Sequence, residues 1–160
     1  MGRPAPVTSN IFPDLDDAWE EARKYAPAVR DFVSGGGRYL GFCLGAYLAG
    51  SGPGFDLIPD GDEVVSEVEQ PGAAVKNVND TVIEVDWTFS TGSKAGTTEK
   101  NRWLYFQDGA GFKLAPWSRA KVLGRYCSNG DVAAILNSYG DGWVANVGPH
   151  PEADESWCKL

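Results

Sequence analysis

Apolar residues first recur at helical spacing. Asp14-Leu15-Asp16-Asp17-Ala18-Trp19 opens a helix whose acidic first turn suits the positive end of a helix dipole. Trp19, Ala22, Tyr25 or Ala26, Val29 and Phe32 or Val33 continue one face. Pro27 falls inside the run, which predicts a kink or two short helices. Ser34-Gly35-Gly36-Gly37 ends the helix and turns the chain. Arg38 to Cys43 then reads as a short buried strand. Leu44 to Ala49 is small and apolar, a helix entering directly behind it. Helix, glycine turn, strand, helix is the order of an α/β protein.

From about Phe55 the pattern changes. Glu63–Gln70, Ala74–Asn77 and Thr81–Ser90 are β-rich and separated by Pro71-Gly72 and Asn79-Asp80 turns. Thr91–Lys100 is polar and reads as an exposed loop. Arg102–Gln107, Lys121–Tyr126, Asp131–Ser138 and Gly142–Val147 predict further strands, with Asn129-Gly130 and Gly140-Asp141-Gly142 as hairpin turns. Pro149 to Trp157 predicts a short terminal helix. The domain expectation is an irregular segment over 1–13 and one α/β domain over 14–160. Trp87, Phe89, Trp103, Tyr105 and Phe106 either pack between adjacent strands or line a substrate pocket.

Composition narrows the partners. A net charge of −8, with basic residues scattered, argues against nucleic acid and anionic membranes, both of which require clustered Lys and Arg. No apolar run approaches the ~18 residues of a membrane span. Met1 to Asn10 lacks the apolar stretch of a secretory signal. Taken from Met1, a cytoplasmic chain is expected; if an upstream signal was removed, a secreted one, in which Asn79-Asp80-Thr81 would be a glycosylation sequon. The three cysteines, Cys43, Cys127 and Cys158, form no CxxC pair, and His150 is the sole histidine. A four-ligand zinc site would consume all of them at unusual spacing, so neither metal nor cofactor is expected. Cys127 and Cys158 are either free thiols or, in an oxidising compartment, a pair.

Two motifs carry chemistry. Gly41-Phe42-Cys43-Leu44-Gly45 has the Gly-x-nucleophile-x-Gly form of a nucleophile elbow. On that reading a sharp strand-to-helix turn leaves no room for a Cβ at Gly41 or Gly45. The helix N-terminus favours a thiolate at Cys43, and the Leu44 N–H aims at an oxyanion. The alternative is a buried structural cysteine in a glycine-rich turn. The second motif is Gly148-Pro149-His150-Pro151-Glu152. A thiol nucleophile needs a base, and the base needs an orienting acceptor. His150 and Glu152 supply these types in the order Cys, His, acid; the alternative is an exposed loop histidine.

Gly36 to Tyr47 and Val147 to Asp154 resemble class I glutamine amidotransferases, and more closely the N-terminal-type domain of biotin-protein ligases common in fungi. The resemblance implies a flavodoxin-like three-layer α/β sandwich and a triad of Cys43, His150 and Glu152. It further implies that the chain lacks the family's first βαβ segment and carries an added β-rich region. In the family a strand ending in a Pro-Gly-Gly-type loop gives the second oxyanion N–H, and Met1 to Asn10 shows neither. Loss of one such donor costs ~10² to 10³ in rate. Three explanations follow: the sequence is cut at the front, a second chain or a second copy in a homo-oligomer completes the sheet, or the protein is a shortened descendant retained for binding.

The functional expectation is a cysteine-dependent amidohydrolase or amidotransferase-like enzyme acting on a small amide or acyl substrate. The competing expectation is a catalytically impaired binding module. A redox or glyoxalase-like activity of the DJ-1 type ranks last, because no Glu can be placed before the elbow. Biotin ligation is not expected.

Overall fold

Residues 13–157 are described by the computed structural model of the chain. Helix α1 (Pro13–Ala22) presents Asp16, Asp17, Glu20 and Glu21 to solvent and turns Leu15, Trp19 and Ala22 inward. A 3₁₀ turn over Arg23–Tyr25 separates it from α2 (Ala26–Ser34). Pro27 lies in the first turn of α2, where its missing N–H breaks no helical bond. Ala26, Val29 and Val33 face the core, while Tyr25 and Phe32 point outward. The left-handed Gly36 then swings the chain into strand β1 (Arg38–Phe42), followed at once by α3 (Leu44–Leu48).

The remaining strands are β2 (Glu63–Ser66), β3 (Thr81–Thr88), β4 (Thr98–Phe106), β5 (Ala110–Lys113), β6 (Lys121–Tyr126), β7 (Val132–Tyr139) and β8 (Gly142–Val147). They form one mixed sheet in the order β1-β8-β7-β6-β3-β4. A β2–β5 ribbon joins it where Phe112 meets Val132 of β7. Among the described strands only β1 and β8 run parallel; the other pairs are antiparallel. Register shifts between Val85 and Trp87 and between Val122 and Arg125 bend the sheet. The curl divides the core. One cluster packs α1–α3 against Phe112, Val132, Ile135 and Val144; the other packs Ile83, Val85, Phe106 and Tyr126.

Several local expectations are corrected. Ala74–Asn77 forms no strand: turns bracket it on both sides, and only Val75 in it is even half-buried. The strand read as Glu63–Gln70 stops at Ser66, where the chain turns Glu67 into the core. Thr98–Lys100, read as loop, begins β4, because Thr98 and Glu99 pair with Thr88 and Trp87. Strand β5 was not anticipated. Pro149–Trp157 is a series of turns rather than a helix. There Pro149 and Pro151 withhold backbone donors, and the His150 N–H bonds to Tyr105 O at 2.9 Å. Residues 1–12 and Cys158 lie outside the described residues, so the irregular 1–13 segment and the Cys127–Cys158 pair fall largely there. No described helix is long and apolar enough to cross a membrane.

Glu67 is fully buried. Its Oε1 accepts from Asn129 Nδ2 at 2.8 Å, its N–H donates to Gly109 O at 3.1 Å, and its Oε2 has no partner among the described residues. Burial pushes its carboxyl from 4.5 up to about 7, against the Asn129 hydrogen bond and with the help of Asp131. A carboxyl raised by folding holds its proton longer in the native state. Its contribution to stability is therefore full below pH 4.5 and is lost as pH rises through about 7. Glu67→Gln keeps an acceptor for Asn129 and removes the titration. In denaturant melts, wild type should lose on the order of 2–3 kcal/mol more than the variant between these two pH values.

Candidate active site

Cys43 occupies a backbone conformation that non-glycine residues rarely adopt, φ 45° and ψ −107°. The turn is clamped on both sides. The Cys43 N–H donates to Val147 O at 2.9 Å, and the Cys43 carbonyl accepts from Ala46 and Tyr47 at 2.9 and 3.1 Å. A Cβ on Gly41 would lie 2.5 Å from the Gly45 carbonyl oxygen, so glycine is required there. Gly45 differs from expectation. A Cβ on it would meet nothing closer than the Tyr39 hydroxyl at 3.8 Å, so its glycine is not sterically demanded.

The thiol is not the poised thiolate that the elbow suggested. Burial pushes Cys43 from 9.0 up to about 11; the Leu44 N–H pulls it down, and Asp108 and Glu152 push it up further. A helix of five residues has few aligned peptide dipoles to oppose these effects. In this resting arrangement the Cys43 thiol donates to Gln107 O at 3.3 Å.

That contact belongs to a part of the site the sequence reading missed. The loop Gln107-Asp108-Gly109 between β4 and β5 rests against the elbow. Asp108 has φ 46°; its carbonyl accepts from Tyr47 Oη at 3.1 Å, and its Oδ1 accepts from Ser66 Oγ at 2.8 Å. The only local signal was the Asp-Gly dipeptide, which marks a turn without saying what it touches.

His150 arrives from β8. The parallel register pairs Phe42 with Val147, so both strands end on the same side of the sheet. His150 Nδ1 lies 2.7 Å from Glu152 Oε1, as an imidazole oriented by a carboxylate requires. The ring is largely buried, its side chain 16% exposed, and packs edge-on to Tyr105 and tilted to Trp157, with centroids 5.6 and 5.5 Å away. No Cys43–His150 hydrogen bond is present among the described residues.

The aromatic cluster resolves mainly into packing. Phe106 contacts Tyr126 in the second core, Trp87 packs beside it, and Trp103 is 63% exposed. Tyr105 alone of the five contacts His150. Among the described residues, no three His, Cys, Asp or Glu side chains converge as a metal site needs. Cys127 is a free thiol donating to Asp86 Oδ1 at 3.3 Å.

Among solved structures, a β-galactosidase from Bacillus circulans sp. alkalophilus is 18% identical, over 78% of this chain and 18% of that one, with a TM-score of 0.48. A cytoplasmic protein from Salmonella typhimurium LT2 is 15% identical over 76% of this chain and 47% of that one, with a TM-score of 0.43. A cold-adapted β-galactosidase from Rahnella sp. R3 is 18% identical over 78% and 18%, with a TM-score of 0.38. The chain thus spans less than a fifth of the β-galactosidases it matches. No curated protein sequence matches it. Residues 14–71, which run from α1 through the Cys43 elbow and β2 and stop well before His150, match the family described as biotin-protein ligase, N terminal.

Proposed function

We propose that the chain is a cysteine-dependent hydrolase of the glutamine-amidotransferase-like kind, acting on an amide or related acyl compound. One observation carries the reading: a strained Cys43 elbow whose partner strand leads into a hydrogen-bonded His150–Glu152 pair. The family match over the elbow supports it. The reading includes a flavodoxin-like origin for the helix-backed β1–β8 part, with the antiparallel β2–β6 region as an addition.

The chemistry follows from the resting thiol. Because Cys43 is protonated at neutral pH, its proton must leave during attack rather than before it. Cys43 Sγ bonds to the substrate carbonyl carbon while His150 Nε2 takes the thiol proton. The Leu44 N–H, which already donates to the sulfur, stabilises the oxygen that becomes negative. Glu152 accepts from Nδ1–H and steadies the imidazolium. His150 then returns the proton to the leaving amine, the C–N bond breaks, and a thioester remains. Water, deprotonated by His150, attacks the thioester; the acid departs and the thiol is restored. The charges that act on the sulfur are the carboxylates Asp108 and Glu152, which would repel a substrate anion. A neutral or cationic amide fits this field better than one bearing a free carboxylate beside the scissile bond.

A second reading, a binding module that keeps the fold without turnover, draws on one observation. The thiol sits at about 11 and donates to a carbonyl rather than to a base. Its readout is a folded wild type that turns over none of a panel of acyl anilides and thioesters.

Three outcomes are expected. In a Cys127→Ser/Cys158→Ser background, iodoacetamide labelling of Cys43 should rise with pH toward a midpoint near 11, and a midpoint below 7 would contradict the general-base route. Cys43→Ala should abolish turnover of the acyl panel, and His150→Ala should lower kcat by ~10² to 10⁴. Gly41→Ala should destabilise by roughly 1–3 kcal/mol and remove activity, whereas Gly45→Ala should leave the melting temperature close to wild type.

A further inference from the structure

Parallel strands are normally covered on both faces, because their connections place helices on each side. Here α1–α3 cover one face of β1 and β8: Tyr39 and Val144 point into that core. The alternation and register of β1, β8, β7 and β6 turn Leu40, Ala145 and Leu136 to the opposite face, beside Trp143. That face is bare. Leu40 is 60% exposed and Trp143 50% exposed, in an open groove of about 620 Å³. β1 pairs only with β8, so its other edge is also unpaired among the described strands.

The rim of the groove has one sign of charge. Arg38, Arg119 and Lys121 line it, no Asp or Glu does, and none of the three makes an ion pair among the described residues. In a chain of net charge −8, a cluster of unpaired cations around apolar side chains is a local exception. A symmetric contact between two copies through this face would oppose the same cations to one another, which disfavours a dimer there.

We propose that this face docks an amphipathic α-helix of a partner polypeptide, with an apolar stripe on Leu40, Leu136 and Trp143 and Asp or Glu residues flanking it against Arg38, Arg119 and Lys121. A helix suits the site because the opening lies over a sheet face, the position helices occupy in α/β layers. Cys43, His150 and Glu152 take no part, so the docking surface stands independently of the hydrolase reading.

The test uses the full chain and two synthetic helical peptides of equal length and identical leucine stripe, one flanked by Glu and one by Lys. The Glu peptide should bind, blue-shift tryptophan emission in wild type but not in Trp143→Phe, and weaken as salt is raised. Its Kd should rise about tenfold or more in Leu40→Asp and in Arg119→Glu, both at exposed positions, with circular dichroism confirming the fold. Equal binding of both peptides, binding of neither, or binding indifferent to Leu40→Asp would overturn the proposal. A concentration-dependent dimer lost in Leu40→Asp would overturn it by assigning the face to a second copy. Leu40-dependent binding to phosphatidylserine vesicles would do so by assigning it to a lipid surface.

Discussion

The parallel ladder between β1 and β8 is the contact on which the candidate site depends. These strands lie far apart in the chain, and their pairing is the one parallel pairing among the described strands. Register decides everything at their ends. With Phe42 opposite Val147, the bond from the Cys43 N–H to Val147 O closes the ladder where the elbow begins, and Gly148 to Glu152 leave β8 on the same side. A slip of one residue would reverse which side chains face the helices. It would also carry the His150–Glu152 pair away from the elbow.

Around that contact the polar groups are arranged at the cost of burial. Asp108 adopts a left-handed conformation and is tied to Tyr47 and Ser66, so the β4–β5 loop is locked against α3 and β2. Deeper in, among the described residues, Glu67 retains a carboxyl oxygen without a partner, and the Asn146 side chain, fully buried on β8, has none at either polar atom. Buried polar atoms of this kind normally weaken a fold unless something satisfies them.

The electrostatics of the thiol show how two local effects can oppose a motif. A Gly-x-Cys-x-Gly turn ahead of a helix suggests a lowered thiol pKa. In the folded chain, desolvation and two carboxylates outweigh the single Leu44 N–H and move it up to about 11. On the proposed hydrolase reading, such a thiol gives up its proton during attack rather than before it.

Local sequence determined the parts whose physics is local. The acidic start of α1, the break near Pro27, the glycine stop after Ser34, the Cys43 elbow and the strands β6 and β8 were legible because each rests on a few neighbouring residues. The short span from His150 to Glu152 likewise allowed their hydrogen bond. Tertiary structure decided what depends on distant partners. Strand β5 exists because β2 and β7 offer it edges, Ala74–Asn77 is not a strand because no described strand pairs with it, and the tail runs in turns rather than a helix, with Tyr105 capturing the His150 N–H. Whether Gly45 needed to be glycine, where the Cys43 proton rests and which sheet face stays bare are questions of three-dimensional proximity. A linear pattern records which residues are available; the distances between them, and hence the dielectric and the charges each one feels, arise only when the chain closes on itself.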